Sequence, residues 1–161
     1  MNKYISIILP IRNEEKFIGK TLESIIRQEP KLLESEYEIL IADGCSKDQT
    51  VDIIRSYQKK YSNITLLKNI QKIVPTGFNQ ALSLSKGQII IRIDGHSEIS
   101  RNFIDSCKCI LKEVDSDCVG GYTKHVAKGF IGQIVNMCQT SRFGVGNVQF
   151  RRKQKTGKYV D

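Results

Sequence analysis

Gly87-Gln88-Ile89-Ile90-Ile91-Arg92-Ile93-Asp94-Gly95-His96 is an apolar run bounded by a glycine and a polar cluster, the pattern of a strand buried on both faces. Such a strand delivers Asp94 and His96 to the carboxyl edge of a sheet, where open α/β sheets bind ligands. The two side chains are two positions apart, so an extended backbone points them the same way. A carboxylate oxygen and an imidazole nitrogen that converge there can hold a divalent cation, and the cation can hold a diphosphate. The residues leave other roles open. Asp94 can pair with Arg92 on its own strand face, and His96 can be a surface loop residue.

The chain before this strand alternates strand and helix. Residues 4–9, Tyr-Ile-Ser-Ile-Ile-Leu, form a β-branched strand, and Pro10 is expected to stop its ladder. Asn13 is a candidate N-cap, with Glu14 and Glu15 at the positive end of a helix. The stripe Phe17, Ile18, Leu22, Ile25, Ile26 gives that helix one apolar face. Residues 36–42 form a second strand that ends at Asp43-Gly44. Asp43 there either caps the next helix or meets a ligand. Ser46 and Gln49 have capping-box spacing, and Val51, Ile54 and Tyr57 line the buried side of the next helix. A short strand over 63–67 comes next, then an irregular link over 69–76 containing Pro75.

The spacing predicts a helix over 77–86, with Phe78, Ala81 and Leu82 inward and Gly87 as its stop. Asn79 on that helix either caps or reaches a ligand. A helix over 100–114 would bury Phe103, Ile104, Cys107, Ile110, Leu111 and Val114. A strand over 118–122, broken by Gly120-Gly121, and a helix over 130–138 complete the pattern. This alternation implies right-handed crossovers and a mostly parallel sheet flanked by helices. With 161 residues the chain is enough for one α/β domain with its own core.

Composition narrows the class. The apolar fraction is 40% and the charged fraction 26%, ordinary for a globular chain. No run approaches the ~18 residues of a membrane span, and the start lacks a signal-peptide cleavage site. Both point to the cytosol. The five cysteines, Cys45, Cys107, Cys109, Cys118 and Cys138, contain no Cys-x-x-Cys. With two histidines in the chain, His96 and His125, they read as buried reduced thiols rather than a zinc site.

The net charge of +8 is uneven: residues 1–120 hold 17 basic against 16 acidic side chains, and residues 121–161 hold 8 against 1. A basic tail favours an anionic partner, such as a diphosphate or the inner face of a membrane, or else is a solvated face. Nucleic acid is disfavoured. Arg151-Arg152-Lys153-Gln154-Lys155 has only Phe150 and Tyr159 as aromatic neighbours, and no nucleic-acid motif is present. A dehydrogenase-type domain is disfavoured too, because Pro10-Ile11-Arg12-Asn13 follows the first strand where Gly-x-Gly-x-x-Gly would stand.

An ordered set of segments resembles family 2 glycosyltransferases. Ser6-Ile7-Ile8-Leu9-Pro10-Ile11-Arg12-Asn13-Glu14 is similar to that family's first strand and loop. Ile41-Ala42-Asp43-Gly44-Cys45-Ser46-Lys47-Asp48-Gln49-Thr50 resembles its Asp-Gly-Ser-x-Asp-x-Thr segment with Cys45 inserted. Gly77-Phe78-Asn79-Gln80-Ala81, Lys86-Gly87 and Asp94-Gly95-His96 continue the series, and Gly120-Gly121 and Gly144-Val145-Gly146-Asn147 resemble a bacterial subgroup that builds exopolysaccharide and capsular glycans. The resemblance implies the GT-A fold, with residues 1–122 as a nucleotide-sugar-binding half and 123–161 as the start of an acceptor half. It implies inverting, metal-assisted transfer from a nucleotide-sugar donor, most simply a UDP-sugar, to a glycan or lipid-linked acceptor.

By position it implies that Pro10, Arg12, Asn13 and Glu14 line the nucleotide, with Asp43-Gly44 at the base and Asn79 near the donor. Asp94 would stand at the ribose and at a Mn²⁺ or Mg²⁺ ion, and His96 would be the second metal ligand. His96 departs from the carboxylate that most members carry there. A neutral imidazole ligates Mn²⁺ readily and suits Mg²⁺ less well. The family's catalytic base is expected beyond Asp161, since no acid stands between Asp117 and Asp161. The alternative is therefore a nucleotide-sugar-binding module without turnover of its own.

Overall fold

A computed structural model describes residues 4–114, 116–121 and 129–140. It forms two compact units, Met1–Asp105 and Ser106–Asp161. The first holds a four-stranded parallel sheet of β1 (Ile5–Ile11), β2 (Tyr37–Asp43), β3 (Ile64–Lys68) and β4 (Ile89–Arg92), in the order β3-β2-β1-β4. Helices α1 (Ile18–Ile26), α2 (Thr50–Gln58) and α3 (Val74–Leu84) connect successive strands. α4 (Phe103–Glu113) begins in the first unit, where Ile104 is buried and its amide donates to Gln28 Oε1 (3.0 Å). α5 (Gly129–Thr140) lies in the second unit, over the helix expected at 130–138.

The mostly parallel α/β sheet follows from the sequence of the strands. β1 and β2 are buried at every position and rich in β-branched residues, which suits central strands covered on both faces. Odd-numbered residues of β1 and β2 (Ile5, Ile7, Leu9, Ile39, Ile41) pack against Ile18, Leu22 and Ile25 of α1 and Ile54 of α2. Ile8, Leu40 and Ala42 face the other way, onto Ala81 and Phe78 of α3. Each fully buried isoleucine contributes about 1.5–3 kcal/mol against its exposed state.

The structure corrects several expectations. β4 is an edge strand among the described residues, covered on one face only. Its register places Ile90 opposite Ser6 and Arg92 opposite Ile8, on the face that α3 covers. α3 packs on β1 and β2 and leaves β4 bare there, so Ile90 and Arg92 are exposed while Ile91 and Ile93 are buried.

β1 runs through Pro10, which pairs with Ala42. In a parallel strand the peptide groups of alternate residues face opposite neighbours. Ile8 O accepts from Ile93 N on the β4 side, and Ile11 O accepts from Gly44 N on the β2 side. Pro10 therefore turns its donorless nitrogen to the β4 side, past the end of that pairing. The ladder stops on one side only.

Asn13 does not cap α1. It has φ +54°, and the helix starts at Ile18 with no side-chain cap. Nor do Ser46 and Gln49 form a capping box: α2 starts at Thr50, whose amide donates to Asp48 Oδ1 (3.1 Å). α3 starts earlier than expected, because Pro75 sits in its first turn, where a missing N–H costs nothing. Phe17 and Leu82 are exposed rather than inward, and of the stripe expected on α4 only Ile104 is buried. Residues 118–121 form no strand.

The cysteines are not uniformly buried. Cys109, Cys118 and Cys138 are exposed, none of the five is in a disulfide, and burial pushes the half-buried Cys107 thiol above its ordinary value. No described helix is long and apolar enough to cross a membrane. Tyr122, His125, Gly144 to Asn147, the basic residues from Arg142 to Lys158, and Asp161 lie outside the described residues.

Candidate functional site

β1, β2 and β3 step away from each other in one direction, while β4 returns to the opposite side of β1. The boundary between β1 and β4 is the switch point at which α/β sheets open a crevice beyond their carboxyl ends. Here the donorless face of Pro10 keeps the two strands from zipping further. An open cavity of about 250 Å³ lies at this place, towards the small end of ligand pockets. It is lined by Pro10, Ile11, Arg12 and Glu14 after β1, by Asn69, Lys72, Ile73 and Val74 after β3, and by Arg92, Asp94, Gly95 and His96 at the end of β4.

Of the residues singled out in the sequence, Pro10, Arg12, Glu14, Asp94 and His96 line this cavity together. Asn13, Asp43, Gly44 and Asn79 do not. Asp43 is buried and accepts from the amide and hydroxyl of Ser46. The Ser46 hydroxyl in turn accepts from Asn13 N (2.8 Å), and Asn13 Oδ1 accepts from Lys47 N (2.9 Å). Glu15 N donates to Asp48 Oδ2 (3.2 Å) and Gln49 N to Glu15 Oε2 (3.0 Å). These bonds join the loop after β1 to the loop after β2. Asp43 and Asn13 thus hold in place the loops that carry Arg12 and Glu14. Arg12 lies over Gly44, where an added Cβ would come within 3.3 Å of the arginine's Cβ and Cδ. Asn79 is exposed on α3.

Lys72 and its supports escaped sequence reasoning. Asn69 is buried, and four of its groups are engaged. Its amide donates to Asp43 O (2.8 Å), its Nδ2 donates to Ile73 O (2.8 Å), its Oδ1 accepts from Thr76 Oγ1 (3.0 Å) and its carbonyl accepts from Lys72 N (3.2 Å). That network bends the link so that Lys72 takes φ +61°, a conformation disfavoured for a long side chain. Asn13, Cys45 and Lys72 are the described non-glycine residues with positive φ. All three follow β1, β2 or β3 at the carboxyl edge, where strain of this kind gathers in functional loops.

The β4 end is fixed as closely. Gly95 O accepts from the buried Thr21 Oγ1 of α1 (2.8 Å), and Ser97 N donates to Asp94 O (3.0 Å). Asp94 Oδ1 accepts from Arg92 Nη2 at 3.1 Å, with both side chains about half exposed. An ion pair so placed contributes at most about 1 kcal/mol and opens readily to a ligand. His96 Nδ1 lies 2.9 Å from Glu14 Oε1. The sequence left the Arg92–Asp94 pair open as one role of Asp94, and the pair is present.

Arg12, Lys72 and Arg92 give the cavity three fixed cations against the carboxylates of Glu14 and Asp94. That excess draws an anion. Pro10, Ile11, Ile73 and Val74 supply an apolar wall beside it. Among the described residues no three metal-ligating side chains converge.

The model of the family described as Glycosyl transferase family 2 matches residues 6–154. The chain belongs to glycosyl transferase family 2. The resemblance stated from the sequence and the parallel α/β architecture agree with that membership. A Methanococcus voltae relative, dolichyl N-acetyl-alpha-D-glucosaminyl phosphate 3-beta-D-2,3-diacetamido-2,3-dideoxy-beta-D-glucuronosyltransferase, is 32% identical over 152 residues, covering 89% of this chain and 46% of the relative. The poly(ribitol-phosphate) beta-glucosyltransferase of Bacillus spizizenii is 30% identical over 124 residues, or 76% of this chain and 19% of the relative. Among solved structures, S. aureus TarS in complex with UDP superposes with a TM-score of 0.61 at 26% identity, over 71% of this chain and 33% of that one. This family 2 chain therefore spans about half or less of the length of these relatives.

Proposed function

We propose that this chain forms the donor-binding part of an inverting glycosyltransferase that moves a sugar from a nucleoside diphosphate, UDP in the simplest case, to a glycan or lipid-linked acceptor. The observation that carries the reading is the cavity at the β1/β4 switch point, with an apolar wall and three cations on a family 2 scaffold. The similar S. aureus TarS is described in complex with UDP, and the two relatives carry a dolichyl phosphate sugar and poly(ribitol phosphate) in their names.

In this reading Pro10, Ile11, Ile73 and Val74 accept the faces of the nucleoside, while Arg12, Lys72 and Arg92 hold the diphosphate. Arg92 leaves Asp94 for the phosphates as the donor enters. Asp94 and His96 would hold a divalent cation, Mn²⁺ or Mg²⁺, which would neutralise the leaving diphosphate. The donor set fits. Sites of this type draw one or two ligands from the protein and the rest from phosphates and water, so two side chains at one cavity suffice.

Inverting transfer also needs a carboxylate to take the acceptor's proton. No acid stands between Asp117 and Asp161, and the role proposed here for these 161 residues is donor binding. Calorimetric titration of UDP into the chain at pH 7.5, with Mn²⁺ and then with EDTA, tests the reading. Saturable binding weakened by EDTA, and weakened about tenfold or more by Arg92→Ala or Asp94→Ala, is the expected result. UDP binding that neither substitution changes would overturn it. Transfer by the chain alone would show that the base lies within it.

A further inference from the structure

The sequence accounts for Asp94 and His96 at one strand end but gives Glu14 no partner. In the structure Glu14 is held on several sides. Its amide donates to the hydroxyl of the buried Thr50 (2.8 Å), and its carbonyl accepts from the amides of Phe17 and Ile18 (2.9 Å each). Its side chain is 17% exposed, against 60% for His96. It runs across Gly95, where an added Cβ would stand 3.0 Å from Glu14 Cγ and 2.7 Å from Ile11 Cγ2. The carboxylate ends 2.9 Å from His96 Nδ1. An exposed pair of flexible side chains does not need a glycine beneath it, a triply bonded backbone and a half-enclosed acid.

We propose that Glu14 is a positioning residue, whose carboxylate accepts from His96 Nδ1–H and thereby fixes the ring with Nε2 as the unprotonated nitrogen that meets the cation. The proposal rests on the metal-assisted reading above. Its chemistry is general: an imidazole bound to one carboxylate has its tautomer and its orientation set. It also explains how a histidine can serve where most members of the family have a carboxylate. The negative charge missing from position 96 is supplied one contact away, by Glu14.

The test uses Glu14→Gln and Glu14→Leu in the full chain. Two-bond ¹H–¹⁵N correlation of His96 in the metal-free protein reads the tautomer, and Mn²⁺ titration in the presence of UDP, followed by electron paramagnetic resonance, reads the affinity. The unsubstituted chain is expected to show the Nδ1–H form. Glu14→Leu is expected to move His96 towards the Nε2–H form that an unheld imidazole prefers, and to lower Mn²⁺ affinity about 10–100-fold. Glu14→Gln, whose amide oxygen still accepts, should keep the tautomer and lose less affinity. An Nε2–H form in the unsubstituted chain, or an unchanged tautomer and Mn²⁺ affinity in a folded Glu14→Leu chain, would overturn the role of Glu14 while leaving the metal-assisted reading intact. UDP binding with no Mn²⁺ binding in the unsubstituted chain would overturn both.

Discussion

At the scale of single residues, the site is held by side chains that never reach the cavity. Asp43 is 6% exposed and accepts two hydrogen bonds from Ser46. Asp43→Ala would take away the acceptor of the Ser46 amide and hydroxyl, and we expect a loss of about 1–3 kcal/mol in urea denaturation together with weaker UDP binding. Gly95→Ala forces a Cβ to 2.7 Å from Ile11. The same Cβ would stand 3.0 Å from Glu14 Cγ, so Mn²⁺-dependent UDP binding should fall along with stability. Asp48 titrates below its ordinary 3.8: slight burial pushes it up, and hydrogen bonds from the Thr50 hydroxyl and amide and the Glu15 amide outweigh that. A depressed carboxyl stabilises the fold above its unfolded value, and the effect is lost as pH falls through the folded one. The stability gap between the native chain and Asp48→Asn should therefore be present at neutral pH and shrink as the pH drops below 3.8, as read by urea denaturation across a pH series.

At the scale of elements, the parallel sheet depends on how the end of α3 is tied to the start of β1. Ser6 Oγ donates to the buried carboxylate of Glu38 (2.6 Å) and accepts from Gly87 N (2.8 Å), and Lys86 N donates to the same Glu38 oxygen (2.7 Å). A Cβ on Gly87 would stand 2.4 Å from Ser6 N, a backbone atom that cannot move without opening the β1–β4 pairing. Gly87→Ala should lower the thermal midpoint and cost more than about 2 kcal/mol, the range of core overpacking. Pro10→Ala is the contrasting case. The restored N–H would face the cleft between β1 and β4, so the change should cost only the chain-entropy difference of about 0.4–1 kcal/mol.

The strands were legible in the sequence because β-branched runs admit little else, and β1, β2 and β3 fall within about two residues of their expected bounds. The helix starts were not. Asn13 and Ser46 look like caps by type and spacing, but they bond across to the other loop, over 33 residues between Asn13 N and Ser46 Oγ and 34 between Lys47 N and Asn13 Oδ1. Of the cavity, Arg12, Glu14, Asp94 and His96 could be named because they stand next to strand ends. Lys72 could not: its approach depends on Asn69 bending a link that has no periodicity, and on β3 lying two places from β1 in the sheet order. The exposure of Ile90 and Arg92 depends likewise on strand order, which a run of isoleucines does not reveal.

At the scale of the whole chain, charge separates the near-neutral first 120 residues from the basic C-terminal stretch. Residues 121–161 carry 8 basic side chains and 1 acidic one. If they engage an anionic membrane surface, replacing Arg151, Arg152 and Lys153 with Gln should lower the partition coefficient onto phosphatidylserine vesicles about 100-fold, at about 1 kcal/mol per charge, and leave UDP affinity within twofold. The central claim is narrower: a nucleoside diphosphate binds where β1 and β4 part. The most direct measurement is a ¹H–¹⁵N shift map of the chain titrated with UDP and Mg²⁺. Saturable changes concentrated at Arg12 to Glu14, Lys72 to Val74 and Arg92 to His96 are the predicted result. Changes confined to the basic residues after Arg142, with those three segments silent, would contradict it.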